Sequence, residues 1–487
     1  MSDFGGPGPG TTDPQQHDGS WVDELLLHAG HDDAEPAVHI GERLDRAGLR
    51  REVVARHTEL AEAGLRRGGS VALQLPPSLA LLTHLLAAWR TGAQVILLDH
   101  RLTAHESDRA LQRTAPQFLV RPAGPVRLGV LRGFHTVDAV AEPYPEGRPA
   151  ASGHALVQLS SGSTGPSKVI GRTAADLVAE VHRYTLIPGM PGPGDRIVVL
   201  NSLIHAMGLM AGVLHSLHAG VEIVLPERMS ADGILAAVAA RTAPTVITGV
   251  PFHAQLLASV SAPPPLPHLV GAISAGESVR PGVSEAFAAR YSVPLGEVYG
   301  MTETGVIAAD LSGASRPATG RTAPGIEAKV VDGELLVRRP VSPYLGPAGP
   351  DRWADGWLRT RDAATLDPET GLLAVVGRLD SQVSVGGLKV DLTEVEWTLS
   401  ELPGVREAVV VHDGAIEAYA VLDEQVTARA VEGLLAERVA GFKLPRRIHA
   451  LTALPRTTTG KPVRDPAALR AAAQRSAAVP AAAVERV

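Results

Sequence analysis

Between residues 71 and 274, short β-branched runs alternate with helical stretches, and this rhythm limits the fold more than any other feature of the chain. VALQL (71–75) and AQVILLD (93–99) read as buried strands on either side of an amphipathic helix, SLALLTHLLAAWRTG (78–92). DRIVVL (195–200), VEIVLPE (221–227), PTVITGV (244–250) and HLVGAIS (268–274) continue the pattern, with helical segments between them. Strands joined through helices pair in parallel, and a parallel sheet needs both faces covered. The expected architecture is therefore α/β, a large N-terminal domain of helix-covered, largely parallel sheets.

The texture changes after Arg316. EAKVVDGELLVRRP (327–340), GWLRTRDAATLD (356–367) and GLLAVVGR (371–378) contain turn signals such as VDGE and read as an antiparallel, β-rich subdomain. From about Leu379 a smaller α+β unit begins, with a helix near TEVEWTLSEL and strands at EAVVVHD and EAYAVLD. The organisation expected is a Gly- and Pro-rich disordered leader over 1–20, a large domain over 21–378, a small C-terminal domain over 379–470 and a flexible tail over 471–487.

Composition narrows the function classes. A net charge of −7 gives no reason to expect a nucleic-acid partner. The absence of cysteine rules out disulfides, thiolate metal sites and a cysteine nucleophile. The N-terminus lacks the basic patch and apolar run of a secretory signal, and the stretch around LALLTHLLAAW is too short to span a bilayer, so a cytoplasmic protein with no membrane partner is expected. Only five lysines occur, Lys168, Lys329, Lys389, Lys443 and Lys461, which draws attention to those lying inside motifs.

Three segments carry chemistry. Residues 159–172, LSSGSTGPSKVIGR, place small hydroxyl residues and glycines after a strand and end on a cation; such a loop can turn N–H groups toward phosphate oxygens. It is not a Walker A loop, because Pro166 follows Gly165, and taken alone it suits a structural linker equally well. EVYGMTET (297–304) gathers an aromatic ring, a flexible glycine, a hydroxyl and a carboxylate, a set able to close on a base, an α-phosphate and a magnesium ion. LPRTTTGKPVR (454–464) presents a lysine from a Gly- and Thr-rich loop, a candidate mobile cation.

In this order the segments resemble the adenylate-forming ligase superfamily, which includes acyl-CoA synthetases, nonribosomal peptide adenylation domains and luciferase, and the resemblance runs from about Trp21 to Arg464. It implies ATP and Mg2+, with coenzyme A or the phosphopantetheine of a separate carrier protein as acyl acceptor, and a small, mobile C-terminal domain. Ser160, Ser161, Gly162, Ser163, Thr164, Gly165 and Lys168 would form the phosphate loop. Ala275, Gly276 and Glu277 of SAGE would lie against adenine, with Tyr299 packing on it, Thr302 at the α-phosphate and Glu303 on magnesium. Asp362 would accept both ribose hydroxyls and Arg378 would reach the ribose as well. Asp380 would be the hinge, Gly386 and Gly387 would line the thiol tunnel, and Lys461 would bridge the acid and the α-phosphate. The chain departs from the family pattern at Pro166–Ser167, at Arg361 where glycine is usual, and at Ser384 where many members have lysine.

NSLIHAMGLM (201–210) resembles the floor of the family's acyl pocket. Ala206 follows His205, so the aspartate that anchors an ammonium in amino-acid activators is missing, as is the asparagine of 2-hydroxybenzoate activators. A neutral aryl or medium-chain acid is expected rather than an α-amino acid. His205 is a candidate gate, or else a core histidine satisfied by backbone; the other candidate lining residues are Met207, Val250, Phe252, Ser274, Gly300, Met301 and Ile307. The remaining histidines lack metal-ligand spacing, and Glu394 and Glu396 read as charges on a helix surface. Two other functions stay open: a synthetase that passes the acyl group to an amine, and a non-catalytic adenylate-binding protein.

Overall fold

The computed structural model describes residues 17–102, 104–126, 132–159, 168–346, 352–379, 382–385, 388–439, 441–457 and 460–477. Two large sheets build the N-terminal part. In one, the strands Ser70–Leu73, Gln94–Leu97, Phe118–Pro122 and His154–Leu159 run parallel, and Ala139–Pro143 and Val169–Thr173 close its edges antiparallel. In the other, six strands are parallel: Pro36–Ile40, Glu222–Val224, Arg196–Val199, Thr245–Gly249, Leu269–Ala275 and Leu295–Met301. Their runs of Val, Ile and Leu are buried, as a sheet covered on both faces requires.

The helix Leu79–Arg90 departs from the amphipathic expectation. Every residue from Leu81 to Trp89 is buried, Thr83 and His84 included. Local bonds serve part of this polarity: Thr83 Oγ1 donates to Leu79 O at 2.9 Å and His84 Nδ1 lies 2.7 Å from Ala80 O, while His84 Nε2 is buried 3.8 Å from Glu59 Oε1. Ser78 caps the helix, and Trp89 Nε1 donates to Ala155 O at 2.8 Å, tying the helix to the sheet strand that leads into residues 160–167.

Beyond Met301 the second sheet turns antiparallel, through Gly305–Asp310, Gly320–Thr322, Leu372–Arg378, Trp357–Leu366, Glu334–Arg338 and Ala328–Val331. The VDGE segment makes the hairpin between the last two strands, with Val331 opposite Glu334. The C-terminal part holds its own core, formed by Val395, Leu399, Val410, Ala418, Val431 and Ile448 among others. It comprises the hairpin Gln382–Val385/Leu388–Asp391, the sheet Val405–His412, Ile416–Leu422 and Arg447–Leu451, and the helices Leu392–Ser400, Ala428–Ala436 and Pro466–Ala477. Among the described residues no helix is long and apolar enough to cross a membrane.

Candidate active site

The parallel strands of the second sheet end on one edge, and the motif residues gather there. Leu269–Ala275 runs into Gly276, whose φ of 94° and exposed turn free its carbonyl. Lys461, carried by the C-terminal part, donates from Nζ to Gly276 O at 3.0 Å. The lysine loop is folded on itself: Thr457 N donates to Lys461 O at 2.7 Å, and Arg456 Nη1 donates to Gly460 O at 2.7 Å. Arg456 also lies 5.7 Å from the centre of the Phe252 ring, a second contact between the C-terminal part and the large sheets.

The YGMTET segment is the end of Leu295–Met301 and a tight turn into Gly305–Asp310. Gly305 has a φ of 76°, and a Cβ there would come within 2.0 Å of the Glu180 carboxylate, so only glycine serves. Glu180 is fully buried, accepts from Val306 N at 3.0 Å and is ion-paired with buried Arg172. That pair links the strand after residues 160–167 to the turn that aims Thr302 and Glu303.

Glu303 is buried, and its Oε1 accepts from the Tyr344 hydroxyl at 3.1 Å. Lys168 Nζ sits 5.3 Å from the centre of the Tyr344 ring. Backbone bonds hold Tyr344 there: Gly171 N donates to Pro343 O at 2.8 Å and Leu345 N to Val169 O at 2.9 Å. Tyr344 thus joins the candidate metal carboxylate to the phosphate-loop lysine. Sequence reasoning missed it, because nothing local in RPVSPYLG predicts pairing with a strand more than a hundred residues earlier.

Tyr299 donates its hydroxyl to Asp362 Oδ2, a short contact that brings together the ring expected at adenine and the carboxylate expected at the ribose. Asp362 is buried, and its backbone N donates to Thr360 Oγ1 at 3.0 Å. Arg361, the position where glycine is usual, has a φ of 64°. The left-handed backbone explains the glycine preference; here the turn is held by Arg361 N donating to Glu334 Oε1 at 3.0 Å, with Arg359 ion-paired to the same carboxylate. Arg378 stands opposite Asp362 in the sheet, and its side chain lies outside the described residues.

In the acyl motif, Gln158 Nε2 donates to Ile204 O at 2.6 Å and Thr248 Oγ1 to Asn201 Oδ1 at 2.8 Å. His205 Nε2 is sealed from solvent without a hydrogen-bond partner among the described residues. Burial holds the His205 imidazolium down to about 4, helped by Lys461 and opposed by Asp99, so the ring is neutral near pH 7. Ser274 Oγ, at the end of its strand, is likewise buried without a partner. Ala206 and Met207 are partly buried, and Tyr184 OH lies 3.8 Å from Met207 Sδ. Val250 N donates to His253 Nδ1 at 3.2 Å, whereas Phe252 is 50% exposed beneath Arg456. Gly300 and Met301 flank the turn, and Ile307 is fully buried in the apolar cluster of the β-rich subdomain, on Leu335, Val337 and Leu373.

Ser160, Ser161, Gly162, Ser163, Thr164, Gly165, Asp380, Gly386 and Gly387 lie outside the described residues; Leu159 and Val169, which flank the loop, are paired opposite each other. Glu396 is not a surface charge: it is buried and its carboxylate binds Arg464 and Val410 N. An acid on a helix reads as solvated from sequence, and only the return of Arg464 from a later loop turns it inward. Among the described residues no three His, Asp or Glu side chains gather as a metal site. A single buried carboxylate beside a phosphate-loop lysine fits magnesium, which keeps several waters and takes the rest of its oxygens from phosphate.

Two sheets with parallel strands, a tyrosine paired with a buried carboxylate, and a lysine carried from the C-terminal part to the strand ends are the arrangement expected of an adenylate-forming ligase. The chain belongs to the AMP-binding enzyme family: the family model matches residues 31–342, and that of the AMP-binding enzyme C-terminal domain matches residues 394–461. It is similar to the p-hydroxybenzoic acid–AMP ligase FadD22 of Mycobacterium tuberculosis, at 30% identity over 92% of this chain and 67% of that protein. It is 29% identical to the indoleacetate–CoA ligase of Aromatoleum aromaticum, over 91% of this chain and 96% of that one. Its fold matches the o-succinylbenzoate coenzyme A synthetase of Bacillus subtilis in complex with AMP, with a TM-score of 0.77 at 24% identity, covering 92% of this chain and 97% of that one.

Proposed function

We propose that the protein condenses a neutral aromatic monocarboxylic acid with ATP to an acyl-adenylate, releasing pyrophosphate, and then transfers the acyl group to the thiol of coenzyme A or of a carrier-protein pantetheine in the cytoplasm. The observation that carries this reading is the reach of Lys461 Nζ to Gly276 O, which sets the chain's mobile cation beside the strand ends where Tyr299 and Asp362 meet. The acid and the triphosphate are both anions, so their approach needs fixed positive charge at the forming bond. Lys461 would hold the carboxylate oxygen and the α-phosphate together, and Lys168 would sit on the departing phosphates. Asp362 would fix the ribose while the Tyr299 ring covers the base. Magnesium, held by Glu303 and oriented through Tyr344, would supply charge neutralisation on the phosphates. Holding both reactants in attack geometry removes much of the entropic barrier.

The acid class follows from the acyl motif. Neutral His205 and Ala206 offer no counter-charge to an ammonium, and such a charge would be buried unpaired. Relatives acting on p-hydroxybenzoate and indoleacetate support an aromatic acid. The acceptor is tested by incubating the protein with ATP, Mg2+ and a panel of aromatic acids, with either coenzyme A or simple amines present. Thioester formation supports the reading. Amide formation without thioester overturns the transfer step and leaves the adenylation step standing.

A further inference from the structure

The lysine loop is clamped at both ends, and the two clamps differ. At one end Arg456 pairs with Glu407 at 2.5 Å, with both side chains about a third exposed. At the other, three residues past Lys461, Arg464 grips Glu396 with two bonds, Nη1 to Oε2 at 2.7 Å and Nη2 to Oε1 at 2.5 Å. The Glu396 side chain is only 10% exposed and accepts a third bond from Val410 N at 2.8 Å. A two-point pair on a buried carboxylate is geometrically fixed and strong, while an exposed pair adds little. Glu396 also sits in the helix Leu392–Ser400, which begins directly after the hairpin strand Leu388–Asp391. One carboxylate therefore joins the helix behind that hairpin, the sheet strand Val405–His412 and the root of the lysine loop.

We propose that Glu396 and Arg464 are a positioning pair that sets the reach of Lys461 into the large domain. The proposal rests on the reading of Lys461 as the cation of adenylation. A lysine side chain has four rotatable bonds, so its tip meets Gly276 O only if the backbone beneath it is fixed. The loop's own bonds, Thr457 N to Lys461 O and Val463 N to Pro455 O at 2.8 Å, shape it but do not anchor it to the body of the domain. Arg464 does. The same pair ties the root of the lysine loop to the helix that follows the strand Leu388–Asp391.

The test uses the small number of lysines. Amine acetylation of the full-length protein, read by mass spectrometry, gives each of the five lysines its own rate. Lys461, hydrogen-bonded at Gly276, is compared with Lys443, which is paired at 2.6 Å with Glu394 on the same helix as Glu396. In Glu396→Gln and Arg464→Ala the Lys461 rate should rise by about fivefold relative to Lys443, the scale of coupling between residues in direct contact. Arg464→Lys, which keeps the charge but loses the second bond, should fall between these variants and the parent. An unchanged Lys461 rate overturns the proposal. So does an equal rise at Lys443, because the pair would then only hold the small domain together. The assay needs no acid or acceptor, so it decides the matter even if the proposed reaction fails for every substrate tried.

Discussion

Replacing Asp362 with asparagine separates what its charge does from what its shape does. The carboxylate is buried, one oxygen accepts the Tyr299 hydroxyl, and the backbone beneath it is fixed through Thr360. Asparagine fits the same space and keeps one acceptor, but it turns an N–H₂ toward a hydroxyl. One hydrogen bond to a charged acceptor is lost, about 1.5–3 kcal/mol, or about 10- to 150-fold in ATP affinity. Alanine removes both acceptors and strands the Tyr299 hydroxyl, so its loss should be larger. The ribose contact exists before and during reaction, so kcat/KM for ATP should fall mostly through KM. Calorimetric titration of ATP into the acid-free protein measures the effect directly, with Tyr299→Phe reporting how far the hydroxyl orients the carboxylate. Unchanged ATP affinity in Asp362→Ala would refute the assignment, and would mean that the Arg361 turn does not present this carboxylate to the nucleotide.

Tyr344→Phe removes the hydroxyl on Glu303 but keeps the ring beneath Lys168, and should raise the Mg2+ concentration needed for pyrophosphate exchange about fivefold; an unaltered Mg2+ dependence contradicts the link. Ala206→Asp should shift selectivity toward phenylalanine and away from 3-phenylpropanoate, because it supplies the missing counter-charge; a parent protein that already prefers the amino acid overturns the reading of this motif. Burial lowers His100, His205, His215 and His253 to about 4. Between pH 6.5 and about 4 the unfolded chain binds protons that the folded chain refuses, so stability falls as pH falls through this window. For fully enclosed His215 the shift is worth about 3 kcal/mol, and the urea midpoint should drop between pH 7 and pH 5; equal midpoints contradict it.

Much of the fold was legible because its signals are local. VALQL, DRIVVL, PTVITGV and HLVGAIS each fall on a parallel strand, and VDGE makes the hairpin expected of it. The texture change read after Arg316 falls inside the antiparallel part, which begins earlier, at Gly305–Asp310. What escaped was set by long-range contact. The helix Leu79–Arg90 has the polar residues of an amphipathic helix, yet its Thr83 and His84 are buried, each with one bond to its own helix backbone. Pro36–Ile40 was not read as a strand, although it pairs with Glu222–Val224 across the chain. Tyr344, the Arg172–Glu180 pair and Glu396 act through partners far away in sequence, and a lone Tyr, Arg or Glu carries no mark of that. Lys461, Glu303, Tyr299 and Asp362 could be proposed from sequence because each motif is contiguous, whereas their placement is long-range: Tyr299 lies on a parallel strand, Glu303 in the turn after it, Asp362 on an antiparallel strand, and Lys461 comes from the C-terminal part.

The most direct measurement is acid-dependent exchange of labelled pyrophosphate into ATP, run over a panel of aromatic acids with the parent protein and Lys461→Ala. The account predicts exchange with at least one neutral aromatic acid, and a loss of about a hundredfold or more in the variant, with ATP binding and folding retained. Exchange that survives removal of Lys461, or that appears with α-amino acids and no neutral acid, would contradict it.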